Sequence, residues 1–177
     1  VSKTKPEITR SYGSMMWLDP GDPATRKYSL DVITDVMKRY DIDGVHIDDY
    51  FYPYKEKDKN GDTIPFPDDK TYAAYKKSGG SLSKDDWRRE NVDTFVEALY
   101  KRIKEVKPQV RLGISPFGIW RPGNPETIKG FDAFSELYAD SRKWLREGWI
   151  DYWTPQLYWS VNSVGQSYPK LLRWWCD

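Results

Sequence analysis

Apolar residues recur along this chain with two periods, and the two alternate. Asp22-Pro23 joins an N-cap acceptor to a proline at the first helical position. Ile33, Val36, Met37 and Tyr40 then fall at i, i+3, i+4 and i+7, which predicts one buried helical stripe. Ser83, with Asp86 three residues on, comes close to a capping box. Val92, Phe95, Val96, Leu99, Ile103 and Val106 hold the helical period until Pro108 ends it. A third helix is predicted over residues 137–147, closed by Gly148 as its C-cap. Each helix runs into a short strand pattern, at residues 42–47, 110–115 and 149–154, and a further strand at 13–18 precedes the first helix. The order β-α-β-α-β-α-β predicts an α/β fold of parallel β/α units joined by right-handed crossovers.

The 177 residues suit a single domain. Four strands do not close a (β/α)₈ barrel, which takes about 250 residues. The chain is therefore an open sheet or a portion of a barrel. No glycine-rich turn follows the first strand, so a dinucleotide fold has little support. Residues 52–84 and 116–134 are rich in Pro and Gly and read as two long loops, of the kind that carries function.

Composition narrows the partners. Lys plus Arg number 28 against 27 Asp plus Glu, so no cationic excess exists to meet a nucleic acid backbone. No apolar run is long enough to span a membrane. Residues 1–6 have no apolar stretch that reads as a signal peptide. Cys176 is alone, which excludes an internal disulfide and a multi-cysteine metal site. Nine Trp and thirteen Tyr beside thin aliphatic content mean that rings fill much of the core, line a binding surface, or do both.

Active sites of parallel α/β folds lie at the carboxyl ends of strands. The residues that follow the four predicted strands are 19–21, 48–52, 115–121 and 154–159. The densest stretch is Asp43-Gly44-Val45-His46-Ile47-Asp48-Asp49-Tyr50. Side chains alternate along a strand, so Val45 and Ile47 face helices while Gly44, His46 and Asp48 face the other way. This parity selects Asp48 over Asp49 as the carboxylate that points into a site. On the third strand Val110, Leu112 and Ile114 share one face, and Gly113 and Ser115 the other; the last strand leaves its parity open. Two neighbouring carboxyl groups can have their pKa values driven apart, as glycoside hydrolysis requires. Tyr50, Tyr52, Trp120, Tyr158 and Trp159 offer flat faces to sugar C–H groups. The plainer readings are a turn or cap for the paired aspartates, an interior hydrogen-bonding role for His46 rather than metal ligation, a surface ion pair for Arg121, and a helix-dipole role for Asp140. Ser115 has no triad around it.

Four stretches together resemble the glycosyl-hydrolase-like 10 family of bacterial envelope and secreted proteins. They are Trp17-Leu18-Asp19-Pro20-Gly21; Tyr40 through Pro53; Leu112-Gly113-Ile114-Ser115-Pro116-Phe117-Gly118-Ile119-Trp120-Arg121; and Tyr138-Ala139-Asp140-Ser141-Arg142-Lys143-Trp144 through Trp159. The resemblance implies a (β/α)₈ barrel glycosidase, distantly similar to α-amylase-like barrels. Their Asp-Gly-aromatic-Arg-x-Asp has the spacing of Asp43 to Asp48, which gives Asp48 the nucleophile position. His46 replaces their Arg. Ser115 stands where they carry a Glu acid, so the acid is sought at Asp49 or Asp140, with Glu126 a weaker candidate. The family domain begins before Trp17, so residues 1–177 resemble the later part of a partial TIM (β/α)₈ barrel whose early units lie outside this chain. Open sheet edges then predict self-association. The implied partner is a carbohydrate held by His46, Tyr50, Tyr52, Trp120, Arg121, Gln156, Tyr158 and Trp159; peptidoglycan glycan strands are a plausible one. No cofactor and no metal are called for, and the implied location is extracytoplasmic. The alternatives are a non-catalytic glycan-binding barrel and, remotely, a metal-dependent hydrolase using His46, Asp48 and Asp49.

Overall fold

The computed structural model describes residue 1 and residues 3–177. A 3₁₀ turn at Pro6–Ile8 leads into β1 (Thr9–Tyr12) and β2 (Met15–Leu18). These pair antiparallel, Thr9 opposite Leu18 and Tyr12 opposite Met15. The two-residue turn between them puts Gly13 at φ 55°, which a hairpin of this length needs and glycine supplies. The strand predicted at 13–18 is thus half of a hairpin and is not part of the parallel sheet. Alternation alone could not tell a hairpin arm from a parallel strand.

Helix α1 (Pro23–Arg39) follows, with the Asp22 carboxylate accepting from the Ala24 amide. Met37 is fully buried and Ile33 packs on the core, but Val36 and Tyr40 are exposed, against the predicted stripe. The buried line runs instead through Leu30, Ile33, Thr34 and Met37. Strand β3 (Gly44–Ile47) comes next. The predicted loop at 52–84 contains a helix, α2 (Asp69–Lys77), before the long α3 (Lys84–Val106). Ser83 caps α3 by accepting from the Asp86 amide, as its spacing predicts.

Strand β4 (Arg111–Ile114) and the short β5 (Tyr152–Trp153) complete a three-stranded parallel sheet in the order β3-β4-β5. The register pairs Val45 with Leu112 and Ile47 with Ile114. Both aliphatic pairs look toward α3, whose Val92, Val96, Leu99 and Ile103 are buried against them. Each such side chain contributes roughly 1.5–3 kcal/mol. The helix predicted at 137–147 forms only as α5 (Ser141–Glu147); a separate short helix, α4 (Ala133–Glu136), precedes it, and the chain between them passes through Tyr138 at φ 55°. The reason lies in α3. Arg88 holds the buried Asp68 carboxylate through two bonds of 2.7 Å and donates to the Tyr138 hydroxyl at 2.6 Å. Gly148 ends α5 in the left-handed region as expected. A last helix, α6 (Tyr168–Cys176), seats Trp175 against the loop after β4 through a bond to the Gly118 carbonyl. Trp175 and Trp174 pack against Trp153 and Trp120. No helix of the described residues is long and apolar enough to cross a membrane.

One face of the sheet is thus filled by helices. The other face, which carries His46, is open.

Candidate functional site

The open face is built across three strands. His46, Gly113 and Tyr152 lie side by side in register. A Cβ on Gly113 would come within 2.0 Å of the Tyr152 ring, so only glycine lets Tyr152 lean over the central strand. Its ring stacks on His46 at 5.5 Å, and its hydroxyl reaches His46 Nδ1 at 3.0 Å.

The protons of this row can be counted. Thr154 Oγ1 donates to the Ile114 carbonyl at 3.2 Å, which can only accept. Thr154 must therefore accept from the Ser115 hydroxyl, 2.7 Å away. Ser115, its own proton spent, accepts from His46 Nε2 at 2.6 Å. In the neutral ring His46 then carries its proton on Nε2, and Nδ1 accepts from Tyr152. Both ring nitrogens are committed to protein partners, which makes His46 a hydrogen-bonding scaffold of the face, on its exposed surface and not in the interior.

Asp48 stands one step beyond, at the carboxyl end of β3, and is exposed. Its Oδ1 accepts from the Asp49 amide at 2.8 Å and from Gln156 Nε2 at 2.9 Å. Asp49 has the opposite setting. It is 2 % exposed, and its Oδ2 accepts from the Tyr54 hydroxyl at 2.5 Å. Burial raises the Asp49 carboxyl above its ordinary range, opposed by the Tyr54 bond and reinforced by the Asp48 charge. Burial, with the Asp49 bond, also pushes the Tyr54 hydroxyl up. The parity argument from sequence thus matches the placement of this pair, one carboxylate outward and one inward.

Rings border the same end of the sheet. Trp17, Tyr50, Tyr54, Phe131, Phe117 and Trp159 form a continuous row with neighbouring centroids 5.0–6.2 Å apart. A cavity of about 370 Å³ opens at the same end of the sheet but on its helix side, between the hairpin, α1 and α3, with Trp17, Arg26, Ile47, Asp48, Tyr50 and Phe95 among its walls.

The other predicted residues are dispersed. Tyr52 is buried among Phe66, Tyr138 and Arg88 and cannot meet a ligand; the chain turns inward after Phe51, which removes Tyr52 from the sugar-holding set. Asp140 is the N-cap of α5, and its Oδ1 also accepts from Trp120 Nε1 at 3.0 Å. It shares no hydrogen bond with Asp48 or Gln156 among the described residues. Trp120 stacks on Trp174, and Arg121 lies over Phe134 and beside Asp132. Tyr158 is 86 % exposed. Glu126 is exposed in the loop that precedes α4. Among the described residues no group of three or more His, Cys, Asp or Glu side chains converges as a metal site.

Tyr152, Thr154, Tyr54 and Trp17 belong to the site and were not singled out for it from sequence. Sequence places Ser115 on the Gly113 face at the strand end but does not reveal its bonds to His46 and Thr154. The missing signal was the register of β5, whose rings on both faces hide its parity; only the pairing of Tyr152 with Gly113 resolves it.

Comparison with known proteins gives the family. The chain is similar to the glycosyl hydrolase YngK of Bacillus subtilis strain 168, 42 % identical over 181 residues, which cover 99 % of this chain and 34 % of that protein. It is also similar to the glycosyl hydrolase DigH of Escherichia coli K12, 36 % identical over 172 residues, covering 95 % of this chain and 37 % of that protein. The chain spans about a third of the length of these relatives. The family model for glycosyl hydrolase-like 10 matches residues 1–177. With every residue of the open face inside that match, the chain belongs to the glycosyl hydrolase-like 10 family.

Proposed function

We propose that this chain carries the Asp48 half of a glycoside hydrolase site that acts on a bacterial glycan, with peptidoglycan glycan strands as the substrate. The observation that carries the reading is the open sheet face, where a carboxylate with one oxygen free of hydrogen bonds among the described residues stands at the carboxyl end of parallel strands. Tyr50 and Trp17 offer ring faces beside it. Asp48 is the nucleophile or base, and Asp49 beneath it modulates its charge. A parallel sheet is ordinarily covered on both faces. An open face and the open outer edges of β3 and β5 fit the later portion of a (β/α)₈ barrel, with residues 1–177 as one structural unit of it. The general acid is then sought in the two thirds of the relatives' length that lies outside the matched region. The extracytoplasmic envelope, where such a glycan lies, is the proposed location. Residues 1–177 alone should self-associate through the strand edges; a clean monomer in size-exclusion chromatography counts against an exposed edge.

Asp49 is buried and Asp140 caps a helix, so the described residues place one free carboxyl on the face. That favours a second reading, a glycan-binding barrel without turnover. Asp48→Asn in the full-length protein separates the two. On purified glycan strands, hydrolysis should fall on the order of 10³-fold with binding kept. Full turnover in the variant defeats the nucleophile assignment. Binding by both forms with turnover by neither supports the second reading.

A further inference from the structure

We propose that Gln156 is a positioning residue that fixes the Asp48 carboxylate and leaves Oδ2 as its reacting oxygen. This inference rests on the reading of Asp48 as the nucleophile or base.

The argument begins with the amide. A glutamine side chain has two N–H donors on Nε2 and an acceptor on Oε1. Gln156 Nε2 lies 2.9 Å from Asp48 Oδ1 and 3.0 Å from the Ser115 carbonyl oxygen. Both neighbours are acceptors, so the nitrogen and not the oxygen must face them, and the flip of the amide is settled by its surroundings. Both hydrogens are then spent on protein. Gln156 retains only Oε1 for a ligand, which makes it a poor sugar clamp and a good brace.

The brace is itself rigid. The Gln156 amide donates to the Pro116 carbonyl at 3.0 Å, extending the parallel pairing past β4 and β5. A Cβ on Gly118 would lie 2.3 Å from the Gln156 carbonyl oxygen, so the two segments approach as closely as they do because residue 118 is glycine. Ser115, which accepts the second N–H on its carbonyl, is fixed through its hydroxyl by His46 and Thr154. Two preorganised rows thus meet at Ser115: the His46 row through its side chain and the Gln156 brace through its backbone.

The consequence for Asp48 follows from counting donors. Oδ1 receives two N–H groups, from Gln156 and from the Asp49 amide. Oδ2 receives none among the described residues. Two donors on one oxygen hold the carboxylate against rotation and leave the lone pairs of Oδ2 uncommitted to any N–H group among the described residues. A misplacement of about 1 Å at a reacting atom costs roughly 10²-fold in rate, so the brace should be felt in kcat.

The test uses the full-length protein on purified glycan strands, with Asp48→Asn run alongside. Gln156→Ala should lower kcat by roughly 10²-fold, with KM changed little. Gln156→Glu keeps the shape but sets another carboxylate against Oδ1, facing Asp48, Asp49 and the Ser115 carbonyl. Like charges disfavour ionisation, so the acid limb of the activity profile should move to higher pH, a change that loss of packing does not produce. Gln156→Asn, one methylene short, should fail to restore kcat. A raised KM with kcat retained in Gln156→Ala, or an unmoved acid limb in Gln156→Glu, overturns the inference and returns Gln156 to the sugar-holding set. If Asp48→Asn retains full turnover, the underlying reading has failed instead, and the two failures are told apart.

Discussion

The two faces of the parallel sheet are built on different principles. On the helix face, Leu112 and Ile114 are fully buried and pair in register with Val45 and Ile47. There the side chains need only be apolar and of the right volume. On the open face, Tyr152, His46, Ser115 and Thr154 form a row in which each hydrogen has one possible destination. That face tolerates little exchange, because His46, Ser115 and Thr154 each donate to one named neighbour and accept from another, and Tyr152 donates into the row. The first face supplies stability and the second supplies geometry. The central strand shows the division most sharply, since Leu112 and Gly113 are adjacent and belong to opposite faces.

Substitutions on β4 and beside it test this division. Leu112→Ala should destabilise the full-length protein most, by about 2–5 kcal/mol in denaturant unfolding, because it opens a cavity under α3. An effect below 1 kcal/mol would place Leu112 outside the core. Gly113→Val drives a Cβ into the Tyr152 ring. It should cost about 1–3 kcal/mol and separate Tyr152 from His46, seen as altered Tyr152 and His46 side-chain resonances. Unaltered resonances would show that Tyr152 does not lean over Gly113. His46→Ala removes two hydrogen bonds from an exposed position. It should cost about 1 kcal/mol yet lower turnover more than Leu112→Ala does; the reverse order of activities would break the comparison.

The smallest effect concerns Asp49. Burial holds its carboxyl above the ordinary carboxylate value of about 4. Between that value and the raised one, the folded protein keeps a proton that the unfolded chain has lost, so this group's contribution to stability falls as pH rises through the window. Asp49→Asn should remove that dependence, and its Oδ1 can still accept from Tyr54. Melting temperatures of the two proteins should converge below pH 4, with the variant equal or higher at pH 7. A variant less stable at pH 7 would mean that the Tyr54 bond outweighs the burial cost.

How far the sequence could be read follows the same division. The Asp22-Pro23 and Ser83 caps, the α3 stripe and the alternation at Val45, His46 and Asp48 are local patterns, and the structure carries each of them. Helix α2 escaped because its Asp69–Lys77 stretch buries no residue and so carries no stripe. The break at Tyr138 depends on Arg88, fifty residues away, and no local signal marks it. The hairpin arm at Met15–Leu18 has the composition of any short strand, and its partner alone decides its direction. Parity places Asp48 on the His46 face and Asp49 inward, as the structure has them, whereas it says nothing of Tyr52, which lies beyond the end of the strand. The brace at Gln156 depends on Ser115, forty-one residues away in sequence.

A crystal structure of full-length Asp48→Asn soaked with a glycan oligosaccharide tests the central claim most directly. The account predicts sugar rings over the open face, flanked by Tyr50 and Trp17, with the anomeric carbon of the scissile unit next to the substituted side chain on the side away from Gln156. Sugar bound elsewhere, with this face packed against other protein, would contradict it.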